Sequence, residues 1–120
     1  MRRTAFLLAT VALLGAAGMA HAHAFLDRAA PAVGSAVHGS PRALVLHFSE
    51  ELEAAFSTVH VEDAQGKRVD VGDVHVDPAN AAVLEVSLPP LPPGRYHVIW
   101  RVVSVDTHVT EGSYAFDILP

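Results

Sequence analysis

The sequence predicts an all-β fold, an antiparallel Greek-key β-sandwich or barrel of about seven strands. Three observations support this prediction. Apolar and polar residues alternate through most of the chain after residue 22, turn-forming residues separate the alternating runs, and helical periodicity is scarce there. Short strands joined by frequent turns are typical of sandwiches and barrels.

Five alternating runs predict strands with one buried face each, because successive side chains of a strand point to opposite sides. Trp100 lies inside one of these runs and is predicted to belong to the core. The apolar positions of the five runs are Leu44, Leu46 and Phe48; Val59 and Val61; Leu84, Val86 and Leu88; Tyr96, Val98, Trp100 and Val102; and Tyr114, Phe116 and Ile118.

The connections between these runs carry turn signals. Residues 63–67 and 77–80 each predict a hairpin turn, and residues 89–94 predict a proline-stiffened corner. Residues 50–55 form the one stretch expected to turn helical, for a single turn.

Residues 1–22 predict a secretory signal peptide, so residues 23–120 form the exported domain. Arg2 and Arg3 precede an apolar run over residues 5–14, and a small-residue stretch then ends in an Ala-x-Ala triplet, residues 20–22, that is typical of a cleavage site. We expect cleavage after Ala22, which makes His23 the first residue, while cleavage after Ala20 stays open. No apolar stretch is long enough to span a bilayer, and we predict a periplasmic protein that is not embedded in the membrane.

The composition of the exported domain excludes several function classes. Its 98 residues suffice for one small domain. Without Arg2 and Arg3, six Lys and Arg remain against 13 Asp and Glu, and this formal charge of −7 argues against nucleic-acid binding. The chain has no cysteine, and its two methionines, Met1 and Met19, leave with the signal. Thiolate chemistry and thioether sites for Cu(I) are therefore excluded.

Two features indicate a metal site built from nitrogen and oxygen donors. A histidine at a free amino terminus, here His23, can chelate a metal through its amine and its ring. In the segment Asp106-Thr107-His108, an extended backbone would place Asp106 and His108 on the same side. A carboxylate and an imidazole together suit Cu(II) or Zn(II), and donors without sulfur favour Cu(II). Alone, such a tripeptide is more often a surface loop.

Residues 23–120 contain an ordered series of short motifs. They are His23-Ala24-Phe25-Leu26, Ala30-Pro31-Ala32, Gly34-Ser35, Leu46-His47-Phe48-Ser49-Glu50, Phe56-Ser57, Gly94-Arg95-Tyr96, Trp100-Arg101-Val102-Val103-Ser104, Asp106-Thr107-His108, Gly112 and Phe116. Taken together, these motifs resemble those of the CopC family of periplasmic copper-binding proteins. The resemblance implies a cupredoxin-like or immunoglobulin-like sandwich with copper near one end.

The resemblance also implies a ligand set and a partner. One Cu(II) ion would be held by His23, Asp106 and His108, with Glu50 nearby as a supporting or weak ligand. The family's proline after the second histidine is replaced by Val109, which leaves the loop less rigid. A separate methionine-rich Cu(I) site is not expected, because residues 62–80 contain no methionine. The partner would be an inner-membrane copper-transport protein of the CopD type, and a monomer is expected.

The leading functional prediction is a periplasmic Cu(II) carrier or buffer in copper homeostasis and resistance, and not an enzyme. A metal-free interaction module is the first alternative. A copper monooxygenase with an amino-terminal histidine brace is the second, and it is disfavoured because Asp106 would fill a position that such chemistry needs open. A weak surface site among His60, His75 and His97, with His47 in reserve, is a minor further possibility.

Overall fold

The computed structural model describes residues 24–120, so the predicted signal peptide and His23 lie outside the described residues. This part of the chain forms two four-stranded sheets and one 3₁₀ turn, Ala54–Phe56. In chain order the strands are β1 (Leu26–Ala30), β2 (Ala36–His38), β3 (Ala43–Phe48), β4 (Thr58–Glu62), β5 (His75–Asp77), β6 (Asn80–Ser87), β7 (Gly94–Val103) and β8 (Val109–Leu119).

The two sheets form a sandwich, and the all-β prediction is confirmed. The first sheet has the strand order β1-β3-β6-β5 and is antiparallel throughout. The second sheet has the order β2-β8-β7-β4, in which only the short β2 runs parallel to its neighbour β8. The corner predicted over residues 89–94 carries the chain from β6 of the first sheet to β7 of the second.

Alternation along the strands fills the core as the sequence predicts. In β3 the side chains of Leu44, Leu46 and Phe48 are buried, whereas Val45 and His47 are only half-buried. The same pattern continues across the sandwich, where the inward side chains of β4, β6, β7 and β8 complete one cluster. Burying this apolar surface is the main stabilising contribution to a domain without disulfides.

The fold departs from the sequence-based expectation in three details. The described residues contain eight strands, whereas the sequence predicts about seven. The sequence pattern does not reveal the short strands β2 and β5 or the edge strand β1, because they show little alternation of their own. The helical turn expected over residues 50–55 is a 3₁₀ turn that begins later, at Ala54, because Leu52 forms a bridge with Ser104 instead. Trp100 is half-buried and packs against the core cluster rather than lying inside it.

Within residues 24–120, no helix is long and apolar enough to cross a membrane.

Candidate metal site

The segment that joins β7 to β8 is a tight turn formed by residues 104–108. The amide of Ser104 donates to the carbonyl oxygen of His108 at 3.0 Å, and the amide of Thr107 donates to the carbonyl oxygen of Ser104 at 2.8 Å. Thr107 has a φ angle of 74°, in the left-handed region that β-branched residues rarely adopt. The turn therefore reverses the chain within five residues, between the two longest strands of the fold.

This turn brings Asp106 and His108 into direct contact. Oδ2 of Asp106 lies 2.9 Å from Nδ1 of His108, and Oδ1 of Asp106 lies 3.4 Å from the amide nitrogen of His108. The expected convergence of the two side chains is therefore present. The reason given for it was wrong, because the two residues meet through a turn with a left-handed residue at its centre and not through an extended strand.

Ser104 supports the Asp106 carboxylate from inside the domain. Ser104 is fully buried, and its hydroxyl donates a hydrogen bond to Oδ1 of Asp106. This hydrogen bond, followed by the hydrogen bond and charge of His108, holds the pKa of Asp106 below its ordinary value of 3.8. The carboxylate is consequently ionised at neutral pH and can attract a cation.

The first described residues are fastened beside this turn. Ala24 is almost completely buried, and its carbonyl oxygen accepts a hydrogen bond of 2.8 Å from Oγ1 of Thr110, two residues after His108. The next residue, Phe25, receives a hydrogen bond from the amide of Ser49 and donates one to the hydroxyl of Ser49, both at 2.8 Å. Sequence reasoning missed Thr110 and Ser49, since neither belongs to a ligand motif.

Glu50 lies in the loop that follows β3, and this loop runs along the turn. The amide of Val105 donates to the carbonyl oxygen of Glu51 at 3.0 Å, and Leu52 bridges to Ser104. Glu50 itself is half-buried. Among residues 24–120, no three His, Asp or Glu side chains form a group that could hold a metal ion. Among the described residues, Asp106 and His108 therefore form a pair, and Glu50 does not join them as a third member of the group.

Negative charge is concentrated at this end of the sandwich. Residues 24–28, 49–56 and 101–111 contain six carboxylates and two arginines. Arg101 forms an ion pair of 3.2 Å with Glu111, and Arg28 lies 3.4 Å from Nδ1 of His47. Within the described part of the chain, the other acidic residues of these segments except Asp106 form no ion pair; they are Asp27, Glu50, Glu51 and Glu53.

Within residues 24–120, the remaining histidines do not gather into a second site. Nε2 of His60 lies 2.8 Å from Oε2 of Glu62, and both residues are on β4 of the second sheet. His97 lies on β7 of the same sheet. His75 lies on β5, in the first sheet, and its Nε2 contacts Glu85 at 3.1 Å. The surface site considered among these three histidines is thus divided between two sheets.

Comparison with known proteins places this arrangement in a family. The family model described as "CopC domain" matches residues 26–119. Protein YobA of Escherichia coli K12 is 34% identical over 117 residues, which cover 97% of this chain and 93% of YobA. Copper resistance protein C of Pseudomonas syringae pv. tomato is 32% identical over an alignment of 126 positions, which covers 98% of each chain.

Solved structures agree with the sequence relatives. CopC from Methylosinus trichosporium OB3b superposes with a TM-score of 0.77 at 35% identity, covering 82% of this chain and 95% of that one. PcoC from Escherichia coli, described as a methionine-rich copper resistance protein, gives a TM-score of 0.72 at 33% identity, covering 81% and 99%. Residues 24–120 of the present chain contain no methionine. On this evidence the protein is a member of the CopC family, and hence a copper-binding protein and not an enzyme.

Proposed function

We propose that this protein is a periplasmic Cu(II) carrier or buffer in copper homeostasis and resistance. One Cu(II) ion would bind the amine and ring of His23 together with Asp106 and His108. The observation that carries the proposal is the hydrogen bond from Thr110 to the carbonyl oxygen of Ala24, because it fastens the residue after His23 beside the Asp106–His108 pair.

Covalent geometry supports the participation of residue 23. Consecutive Cα atoms are about 3.8 Å apart. His23 directly precedes Ala24, and Ala24 is hydrogen-bonded to Thr110, the second residue after His108. The paired side chains supply only two donors, fewer than Cu(II) takes in its usual tetragonal sites. A chelating amine and imidazole at position 23 would complete a set of four.

The chemistry of this donor set favours copper. Amine, imidazole and carboxylate are hard or borderline donors, and the affinity of such donors for divalent first-row metals peaks at Cu(II). Asp106 is ionised at neutral pH, as any aspartate of ordinary pKa would be, and its lowered pKa keeps it ionised in more acidic solution. Copper binding would exchange the hydrogen bond between Asp106 and His108 for one bond from each side chain to the ion. The pair would thus be assembled before the metal arrives.

A carrier must also release its ion, and the proposed recipient is an inner-membrane copper-transport partner of the CopD type. The donors are exposed enough for such a transfer, because the His108 side chain is 53% exposed and that of Asp106 is 32% exposed. A carrier that acts as a monomer needs no further chain to complete its site.

The decisive experiment compares the natural start with a start extended by one residue. Mass spectrometry of the exported protein first establishes which residue begins the chain. One additional residue before His23 should weaken Cu(II) binding by orders of magnitude, because the amine of His23 becomes an amide. The thermal stability of the metal-free protein should not change, since Ala24 and Phe25 keep their contacts. Equal affinity of the two forms would refute the proposed ligand set.

Variants of the turn provide the second arm of the experiment. Asp106→Ala and His108→Ala should each alter the electron paramagnetic resonance spectrum of bound Cu(II). His97→Ala is the matched control, because His97 is exposed on β7 away from the turn. An unchanged spectrum in both turn variants would place copper elsewhere. If neither the wild type nor any variant binds copper tightly, the result would support the metal-free interaction module.

A further inference from the structure

The geometry points to an N-terminal clamp, formed by Thr110 and Ser49, that positions the amine of His23 for copper. Thr110 is its principal positioning residue. This inference rests on the proposed function, and it adds that residues which bind no metal set the affinity of the site.

Thr110 is well placed to hold the chain rigidly. It lies on β8 and pairs with Val102 of β7, in the register of the longest strand pair of the domain. Its half-buried hydroxyl donates to the carbonyl oxygen of Ala24 at 2.8 Å. The same strand begins immediately after His108. One rigid element therefore carries a proposed ligand at its start and a contact to the chain start two residues later.

Ser49, the residue that follows β3 of the other sheet, holds the backbone of Phe25. Its hydroxyl accepts a hydrogen bond from the amide of Phe25, and its amide donates to the carbonyl oxygen of Phe25, each at 2.8 Å. Ala24 is 1% exposed and belongs to the core cluster. Ala24 and Phe25 are thus held at three backbone atoms by two sheets.

Such a clamp reduces the loss of conformational entropy that accompanies metal binding. A chain terminus is ordinarily mobile, and ordering it when copper binds would reduce the affinity. Folding already holds Ala24 and Phe25 in place, so copper binding does not have to order these two residues. Residues that orient metal ligands through hydrogen bonds typically change metal affinity by roughly 10- to 100-fold when they are replaced.

The test is the Cu(II) affinity of clamp variants with the natural start, measured by competition with a chelator of known affinity. Thr110→Val keeps the shape and β-branching of the side chain but removes the donor, and it should weaken binding roughly 10- to 100-fold. Thr110→Ser restores a hydroxyl and should recover most of the loss. Thr58→Val is the matched control on the exposed face of β4 and should bind as the wild type does. Ser49→Ala, a second and independent variant, should weaken binding in the same direction.

A double-variant cycle separates positioning from general structural damage. In the form with one extra residue before His23, the amine is already lost, so Thr110→Val should weaken binding less than about threefold further. Equal losses in both backgrounds, or no loss in the natural form, would overturn the clamp. If the extended form binds copper as tightly as the natural form, the proposed function fails. If the extended form binds copper weakly but Thr110→Val in the natural form binds it as tightly as the wild type, the clamp is refuted and the proposed function stands.

Discussion

Gly112→Ala should destabilise this domain, although the same substitution usually stabilises a strand. Gly112 lies in β8 directly opposite Trp100 of β7, and the indole ring occupies the space where a side chain would begin. A Cβ atom at position 112 would lie 2.2 Å from Cζ2 and 2.5 Å from Cη2 of Trp100. Carbon atoms pack at about 3.5–4.0 Å, so the ring would have to move by more than about 1 Å.

Displacing the half-buried ring disturbs its aromatic neighbours. Its centroid lies 6.1 Å from that of Phe48 and 6.2 Å from that of Tyr114, so a displaced indole disturbs both aromatic contacts. Overpacking of this kind costs about 1–3 kcal/mol, and the very short contact argues for the upper end. Alanine in place of glycine recovers about 0.5–1 kcal/mol of backbone entropy. The net loss in the free energy of unfolding should be about 2 kcal/mol.

Urea unfolding followed by circular dichroism measures this loss directly. For a domain of this size, about 2 kcal/mol corresponds to a fall in Tm of about 8–16 °C. Ser113→Ala, at the neighbouring exposed position, is the control and should change the free energy by less than about 0.5 kcal/mol. Trp100→Leu should make Gly112→Ala less costly by removing the ring that it strikes. A Gly112→Ala variant as stable as the wild type, or more stable, would refute the argument.

Two further predictions concern pH and buried hydroxyl groups. Cu(II) affinity should fall steadily from about pH 8 to about pH 5, because amine and imidazole donors bind copper only in their deprotonated forms. Asp106, whose pKa is lowered below its ordinary value by the hydrogen bond from Ser104, should contribute only in more acidic solution. Chelator competition across this range measures the effect, and an affinity independent of pH would contradict it. Tyr114→Phe should cost about 1–3 kcal/mol, because it strips the buried carbonyl oxygen of Pro31 of its donor at 2.9 Å. Tyr96→Phe, whose hydroxyl donates to Pro92 in a more exposed position, should cost less in the same urea titration.

Much of the fold could be predicted because burial imposes a period of two on each central strand. The runs around Leu46, Val98 and Phe116 show that period in their own sequence, and the residues at their alternating apolar positions are buried in the structure, except for the half-buried Trp100. The strands β2 and β5 have three residues each, too few to show a period. Their conformation comes from pairing with β8 and β6, which is information that lies elsewhere in the chain.

The candidate site likewise has features that local sequence predicts and features that it does not. Asp106 and His108 could be selected because their chemistry and spacing are local. Their actual approach depends on the left-handed backbone of Thr107, and a β-branched residue ordinarily argues for the opposite conformation. The contact from Thr110 to Ala24 joins residues 86 positions apart, so no local pattern could reveal it.

The gathering of acidic side chains around the β7–β8 turn also bears on which form of copper this protein can accept. A net negative charge draws small cations toward the turn before contact, over a Debye length of about 8 Å at physiological ionic strength. The same charge repels anionic copper complexes, such as those formed with polycarboxylates. Capture should therefore favour the hydrated ion or a positively charged donor surface, and this preference should fade as salt is added.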